Sequence, residues 1–448
     1  MDFRKTGEEI VAKAIKLGAG EAEVCLENVR SFEVNIRKGE IETLTRSVSR
    51  GLGLRVFIDR QLGFAYTADL SAEAVDNTVK KTVELARITE AKPWQGLPEF
   101  GPQPLVDLDL YDAGLAAVAD DRKIALAREV ERIALAADRR ITNSDGGSFS
   151  DIEREFGLFS SRGISNLVRE TRCSCGVYVV AGEGNDMHGG GWSSSKRFFR
   201  ELDGAEKIAK TAAKRALDQL GPKPVATKAV PVIFDRYAAP AFWMGVGGAL
   251  SGDAVFRKAT FLTDYLDKAV LSPLITAVDD PTIPRFVSSV PFDGEGKATR
   301  KNVIIDKGIL KTFLYDSQTA RKAGVKVNTM ATRSGYRSSP SAGFMNTIVE
   351  NGKDSFESLF NGVKEGLYVT GMRGAGTDAT TGSFSVGCSG FWIVDGAIAH
   401  PVDGVTLGGT ALEILKGIDK VANDLDMRAG VNSPSFRVAE ITVGGRRS

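Results

Sequence analysis

Histidine is almost missing from this chain: 448 residues hold two, His188 and His400. Neither sits in an HExxH or HExxxH run. A catalytic zinc wants three protein ligands, an open position and a nearby base, and two scattered imidazoles do not supply that set. Cysteine is also scarce. Cys25, Cys173, Cys175 and Cys388 include no CxxC pair. Cys173 and Cys175 lie two apart in a β-like run, which puts them on one strand face roughly 6.7 Å apart, long for a disulfide and not aimed at each other. All four read as small buried hydrophobes of a reducing compartment. Nucleotide motifs are lacking as well. No GxxxxGK[ST] occurs, and Gly245-x-Gly247-x-x-Leu250 misses GxGxxG at its last position. Charge of one sign is not in excess: 58 basic residues face 57 acidic ones, for a net charge of +1. That argues against a dedicated nucleic-acid or anionic-membrane surface. The uncharged run Tyr237–Gly252 spans 16 residues, with Pro240 inside, short of the roughly 18 a membrane span needs.

What is present is a soluble, core-forming composition, 42% hydrophobic and 26% charged, with 49 glycines. The length calls for more than one domain. Charges fill the first nine residues and no apolar stretch follows, so no secretory signal is expected and the chain is placed in the cytoplasm.

The pattern predicts an α+β fold. Thr6 and Glu9 read as a capping box for a first helix with Ile10, Val11, Ala14 and Ile15 inward. Strands follow around a turn at Arg37–Glu40, and Ser71 caps a second helix with Ala74, Val75, Val79, Val83 and Leu85 inward. Pro93–Pro104 reads as a connector. Helix, strands, helix then recurs: 120–137, strands between Glu155 and Val180, and a helix from Asp203, with Glu206 three residues on, to Leu220. Residues 1–220 are therefore expected to form an α+β domain with an internal duplication. Gly221-Pro222-Lys223-Pro224 is the linker candidate. Residues 225–448 carry turn pairs such as Asp395-Gly396 between short apolar runs, the mark of a mainly antiparallel β domain.

The remaining polar candidates are plain. His188 lies in NDMHGGGW and reads as a solvated loop side chain, and His400 reads as the end of a strand. A two-residue turn at Asp395-Gly396 would pair Phe391 with His400. Cys388 would then face the other side of the sheet about 10 Å further along, so a Cys388/His400 nucleophile pair needs a bulge to form. Asp279-Asp280 and Asp293 with Glu295 read as turn residues.

The stretch VPVIFDRYAAPAFWMGVGGALSGDAVFRK, from Val230 to Lys258, resembles the opening of the C-terminal domain in the TldD/PmbA proteins, also described as modulators of DNA gyrase. NIRKGEIETLTRSVSRGLGLRVF resembles their N-terminal signature, and TGMRGAGTDATTGSFSVGCSGFWIVDGAIAHPVDGVTLGG a long C-terminal one. TldD-type members carry HExxxH in the matching helix. Laid on that motif, Trp243 takes the place of the first His, Met244 of the Glu and Gly248 of the second His. Cys388 falls where such enzymes supply a third, thiolate ligand. The motif is missing, as it is in the PmbA (TldE) branch. The resemblance implies a metal-free, non-catalytic subunit of a TldD–PmbA heteromeric metallopeptidase acting on peptides or unfolded segments. No catalytic residue, metal ligand or cofactor is then expected in this chain. The implied partners are a TldD-type zinc peptidase subunit and a peptide held by the assembly, with a homodimer in isolation and no direct contact to nucleic acid or membrane. A regulatory protein acting on DNA gyrase and an autonomous hydrolase with an unrecognised site stay open as alternatives.

Overall fold

The structure is a computed structural model, and it describes residues 2–184, 186–374, 376–428 and 430–445. The first half runs α1 (Phe3–Lys16), β1 (Glu21–Arg37), β2 (Glu40–Ile58), β3 (Gln61–Thr67), α2 (Ala72–Ile88), then α3 (Asp120–Ala136), β4 (Ile141–Ser160), β5 (Ser165–Ala181), β6 (His188–Lys196) and α4 (Ala205–Leu217). Helix, three strands and helix therefore occur twice. The six strands form one antiparallel sheet in the order β3-β2-β1-β4-β5-β6, with the first strand of each unit paired at the centre. This symmetric order is the expected duplication, realised as one sheet rather than two. Each helix pair covers its own apolar patch. Ile10, Val11, Val79 and Val83 pack on Val24, Leu26, Leu54 and Val56, while Ala127, Val130, Ile208 and Ala212 pack on Phe149, Cys175 and Val177.

Several local expectations change. The first helix starts four residues earlier, because Asp2 rather than Thr6 caps it by accepting from the Lys5 N–H; Thr6 lies inside it. α2 turns Thr78, Thr82 and Ala86 inward and leaves Leu85 exposed. α4 starts after Gly204 with no side-chain cap, while Asp203 instead pairs with Lys207 one turn on. The central strands are much longer than their apolar runs, because glycines and serines such as Gly146, Gly147 and Ser150 sit within β4.

The glycine run that reads as a loop is in fact strand β6. A Cβ on Gly190 would lie 2.3 Å from the Ala216 N of α4, and one on Gly189 would lie 2.0 Å from the Tyr178 hydroxyl. Glycine here lets a helix and a ring lie directly on the strand. His188 opens that strand. Its ring is largely shielded and bonds the Asp186 carboxylate at 3.0 Å, so it is not the solvated side chain its surroundings in the sequence imply.

The second half contains β7 (Lys228–Phe234), α5 (Ala239–Gly247), α6 (Gly252–Phe256), β8 (Ala277–Asp279), β9 (Asn302–Asp306), β10 (Ile309–Leu310), α7 (Ser317–Ala323), β11 (Ala331–Thr332), β12 (Ser341–Ala342), β13 (Thr347–Val349), β14 (Glu365–Arg373), β15 (Ser383–Val394), β16 (Ala397–Thr410), α8 (Ala411–Lys416), β17 (Ile418–Val421), β18 (Val431–Asn432) and β19 (Phe436–Gly444). It is mainly antiparallel β; β7/β14 and β13/β18 are parallel pairs. The larger sheet runs β16-β15-β14-β7-β19-β17, and β16 also pairs with β19, so five strands close on themselves. A smaller sheet, β10-β9-β8-β13-β18, lies beside it in the chain's second half. The two halves meet tightly. Tyr336 lies against β2, where a Cβ on Gly53 would fall 1.8 Å from its carbonyl oxygen, and Phe156, Phe292 and Tyr336 share one buried cluster with Cys25.

Candidate functional site

The strand β7 feeds α5 through a turn held by Asp235. Its main-chain oxygen accepts the N–H groups of Ala238 and Ala239 at 2.9 and 2.7 Å. Its side chain accepts from the Tyr237 N–H at 2.7 Å and the Tyr368 hydroxyl at 2.6 Å. Burial raises the Asp235 carboxyl above its ordinary range. α5 then covers the core face of the closed sheet and stops at Gly247, passing into a 3₁₀ turn over Gly248–Leu250.

Successive positions on this helix point in different directions. Trp243 turns inward. Its indole packs against Phe242 and Phe436, at 5.1 and 5.5 Å between ring centroids, and its N–H donates to the Ser433 hydroxyl at 2.9 Å. Met244 points out and is 63% exposed. Gly248 is also exposed, and a Cβ there would have only the Ala379 Cβ for company, at 3.8 Å. Cys388 is buried on β15 in the same core cluster as Trp243, and burial, with Asp403 adding, pushes its thiol up to about 12. Thus Trp243 and Cys388 share the interior, while Met244 and Gly248 share the open face. The histidines lie elsewhere. His400 sits inside β16 rather than at a strand end, and it pairs with Trp392, not Phe391, because a bulge falls between Trp392 and Ile393. Cys388 pairs with Val405 in the same ladder.

Beside the first turn of α5, at Pro240, lies a feature the sequence does not announce. A cavity of about 650 Å³ opens between the two halves. Trp192 of β6, Tyr178 of β5 and Arg215 of α4 line one side; Arg236, Tyr237 and Arg428 line the other. Trp192 and Tyr237 meet edge to face at 4.8 Å. The Arg428 guanidinium lies 3.8 Å from the Trp192 ring centroid, and that of Arg215 lies 5.5 Å from it. Arg236 sits 5.0 Å from the Tyr237 ring, and the Tyr237 hydroxyl donates to Asp426 at 3.0 Å. These residues come from five separate segments, and no spacing rule links them; only the tryptophan after the glycine run could have drawn attention.

Comparison with known proteins places this arrangement. Residues 22–86 match domain 1 of the PmbA/TldA metallopeptidases, residues 114–220 their central domain and residues 227–445 their C-terminal domain. The metalloprotease PmbA of Escherichia coli O157:H7 is 33% identical, with 99% of this chain and 97% of that protein covered. The chain belongs to the PmbA/TldD metallopeptidase family. A PmbA homologue of Haemophilus influenzae is 31% identical over 99% of this chain and 96% of its own, and a TldD homologue from the same organism 27% over 92% and 90%. A crystallised protein of Bacteroides thetaiotaomicron, described as a candidate modulator of DNA gyrase, superposes with a TM-score of 0.90 at 26% identity, both chains fully covered. TldE of Thermococcus kodakarensis has the same fold, with a TM-score of 0.88 at 22% identity over 98% of this chain and 100% of its own. Domain 1 and the central domain of the family are thus the two repeats of the N-terminal sheet.

The residues at the expected positions do not fit the zinc of a metallopeptidase. The Trp243 indole offers an N–H donor already used by Ser433 and Gly248 offers no side chain, which leaves the Cys388 sulfur as a lone candidate ligand. Zinc takes imidazole, thiolate or carboxylate. Among the described residues no group of three or more His, Cys, Asp or Glu side chains could hold a metal ion.

Proposed function

We propose that this chain is the metal-free subunit of a heteromeric metallopeptidase, its TldD-type partner providing the zinc and cleaving peptides or unfolded segments. The observation that carries this reading is Trp243. At the position that the family resemblance assigns to a ligand stands a buried indole, locked by two aromatic neighbours and a hydrogen bond, in a chain that covers 97% of the metalloprotease PmbA it resembles. A ligand position converted into core packing supports a structural role for α5 and not a catalytic one. The open faces of the two halves would complete the substrate chamber. In isolation the surface meant for the related subunit would pair two copies of this chain.

The test is to purify the chain alone and together with a TldD-type chain, and to follow peptide cleavage and elution volume. The expected result is no chelator-sensitive cleavage by the chain alone and cleavage by a stoichiometric complex. Cleavage by the chain alone that a chelator leaves unchanged would refute the reading.

A further inference from the structure

Arg215 and Arg428 make no ion pair among the described residues, although both are partly buried against aromatic rings in the cavity between the halves. Each spends a donor on a main-chain oxygen: Arg428 on Ser193, and Arg215 on Thr370 at 3.3 Å. A guanidinium carries five N–H donors in a planar fork suited to a carboxylate, so each keeps donors to spare. Asp235 acts on Arg215 only at a distance, with no direct ion pair, and a partly desolvated cation that no carboxylate touches gains when an anion joins it. We propose that this cavity binds the C-terminal carboxylate of a peptide, with Arg215 and Arg428 as the anion-binding groups and the Trp192 and Tyr237 rings as the platform for the last side chain.

Charge and shape narrow the ligand. Asp145 and Asp426 also line the cavity. Asp426 is engaged by Tyr237, and Arg236 lies beside Asp424 at 3.9 Å. The lining thus holds three guanidiniums, Arg215, Arg236 and Arg428, and two carboxylates, Asp145 and Asp426; the single positive charge left over suits a monoanion better than a phosphate, which carries close to two charges. The volume of about 650 Å³ falls within the roughly 300–1,000 Å³ of organic-ligand pockets and exceeds what a bare ion needs. A second cavity of about 540 Å³ shares Trp192, Tyr237, Arg236 and Arg428, so the cation–aromatic stack is a partition with room on both sides. That the ligand is a peptide rests on the function proposed above; the geometry by itself calls for a carboxylate next to an apolar group.

The experiment is calorimetric titration of the full chain, without any partner, using three probes: an N-acetylated tetrapeptide ending in phenylalanine, the same peptide as its C-terminal amide, and inorganic phosphate. The acid should bind, and the amide should bind at least about tenfold more weakly, the loss of one charge-assisted contact. Arg215→Gln and Arg428→Gln should each weaken the acid by about tenfold and leave the amide unchanged, and Arg428→Lys should fall between, because it keeps charge and loses the fork. Equal affinity for acid and amide, or displacement of the acid by phosphate at matching concentration, overturns the proposal. If an arginine variant does not fold, the acid–amide comparison on the unaltered chain still decides it. A chain that binds the acid but never pairs with a TldD-type protein keeps the site and loses the subunit reading. A chain that pairs but ignores the carboxylate does the reverse.

Discussion

Glu23 and Arg333 stand 310 residues apart in sequence and form a buried ion pair that joins the two halves. Glu23 also takes two parallel hydrogen bonds from Arg55, at 3.0 and 2.9 Å. Burial alone would raise the Glu23 carboxyl, but Arg55 and Arg333 outweigh it and hold it below its ordinary range. Its contribution to stability is therefore present above the ordinary carboxylate pKa and is lost only in stronger acid. Removing one member of a buried pair leaves an uncompensated charge, at a cost of about 3 kcal/mol or more. Glu23→Gln, which strands two guanidiniums, should cost more than Arg333→Met, which leaves Arg55 in place. Denaturant melts of both variants and of the double variant check this; strict additivity would show that the groups do not act as one network.

Asp279 gives the opposite pH dependence. It sits at the end of β8, completely buried, and one carboxyl oxygen accepts from the Met345 and Asn346 N–H groups at 3.1 and 2.8 Å. The other has no partner among the described residues. Burial raises its pKa to about 6. A carboxyl whose folded pKa lies above the unfolded value of 3.8 favours the fold when protonated. That stability is full below pH ~4 and is lost as pH rises towards 6. Asp279→Asn keeps the accepting oxygen and removes the charge. It should be more stable than the parent at pH 7.5, by about 3 kcal/mol at most, and equal to it near pH 4. Identical melting curves at pH 7.5 would show that Asp279 is solvated or paired in solution.

The connector at Gly221–Pro224 is mostly exposed but not loose. The Gly221 N–H donates to both Asp186 carboxylate oxygens at 3.1 Å, the Lys223 N–H donates to the Pro401 oxygen at 3.0 Å, and Val225 is already buried. If residues 1–220 and 225–448 are separable packing units, a protease with broad specificity should cut here or in 93–104 before it cuts elsewhere. The fragments should then elute together at neutral pH, because Glu23, Arg55 and Arg333 tie them, and should part in acid. First cuts inside β4 or β15 would place the boundary somewhere else.

These positions also show what a sequence can and cannot disclose. The helices were legible because each buries one face, so the 3.6-residue period of Val79, Val83 and Ala86 or of Ala127, Val130 and Ala134 survives. The duplication was legible from element order. Strand lengths were not, because β4 and β6 use glycine where helices and rings press on the backbone, and such strands resemble loops. Asp279, Asp293 and Glu295 looked like turn residues. The Asp293 carboxylate does serve a turn, accepting from the Glu295 and Lys297 N–H groups at 2.9 and 3.0 Å, but all three side chains are buried where the halves or sheets close over them. Burial of that kind depends on segments far away in the chain. The arginine cavity was invisible for the same reason.

The degenerate helix offers the sharpest test of ancestry. If Trp243, Met244 and Gly248 occupy the places of two ligands and a base, the combined change Trp243→His, Met244→Glu, Gly248→His should restore zinc binding, with Cys388 as the third ligand. Residues five apart on an ideal helix differ by about 140° in direction, and the structure honours that: Trp243 faces the core and Gly248 faces out. A metal shared by both has to sit off the C-terminal end of α5, where the helix gives way to a 3₁₀ turn at Gly248. The outer position has room, since a Cβ on Gly248 meets nothing closer than 3.8 Å and its backbone is helical. The inner position does not come free. Trp243→His removes an indole packed on Phe242 and Phe436, at a cost of about 3 kcal/mol, and zinc must repay it. The triple variant should therefore melt well below the parent without metal and recover with zinc, while a chelator reverses the recovery. Adding Cys388→Ala should weaken the zinc affinity at least tenfold, because a thiolate next to a metal is deprotonated outright even where burial otherwise keeps it neutral. Equal affinity with and without that thiol would mean that the vanished site lay on other residues of this helix.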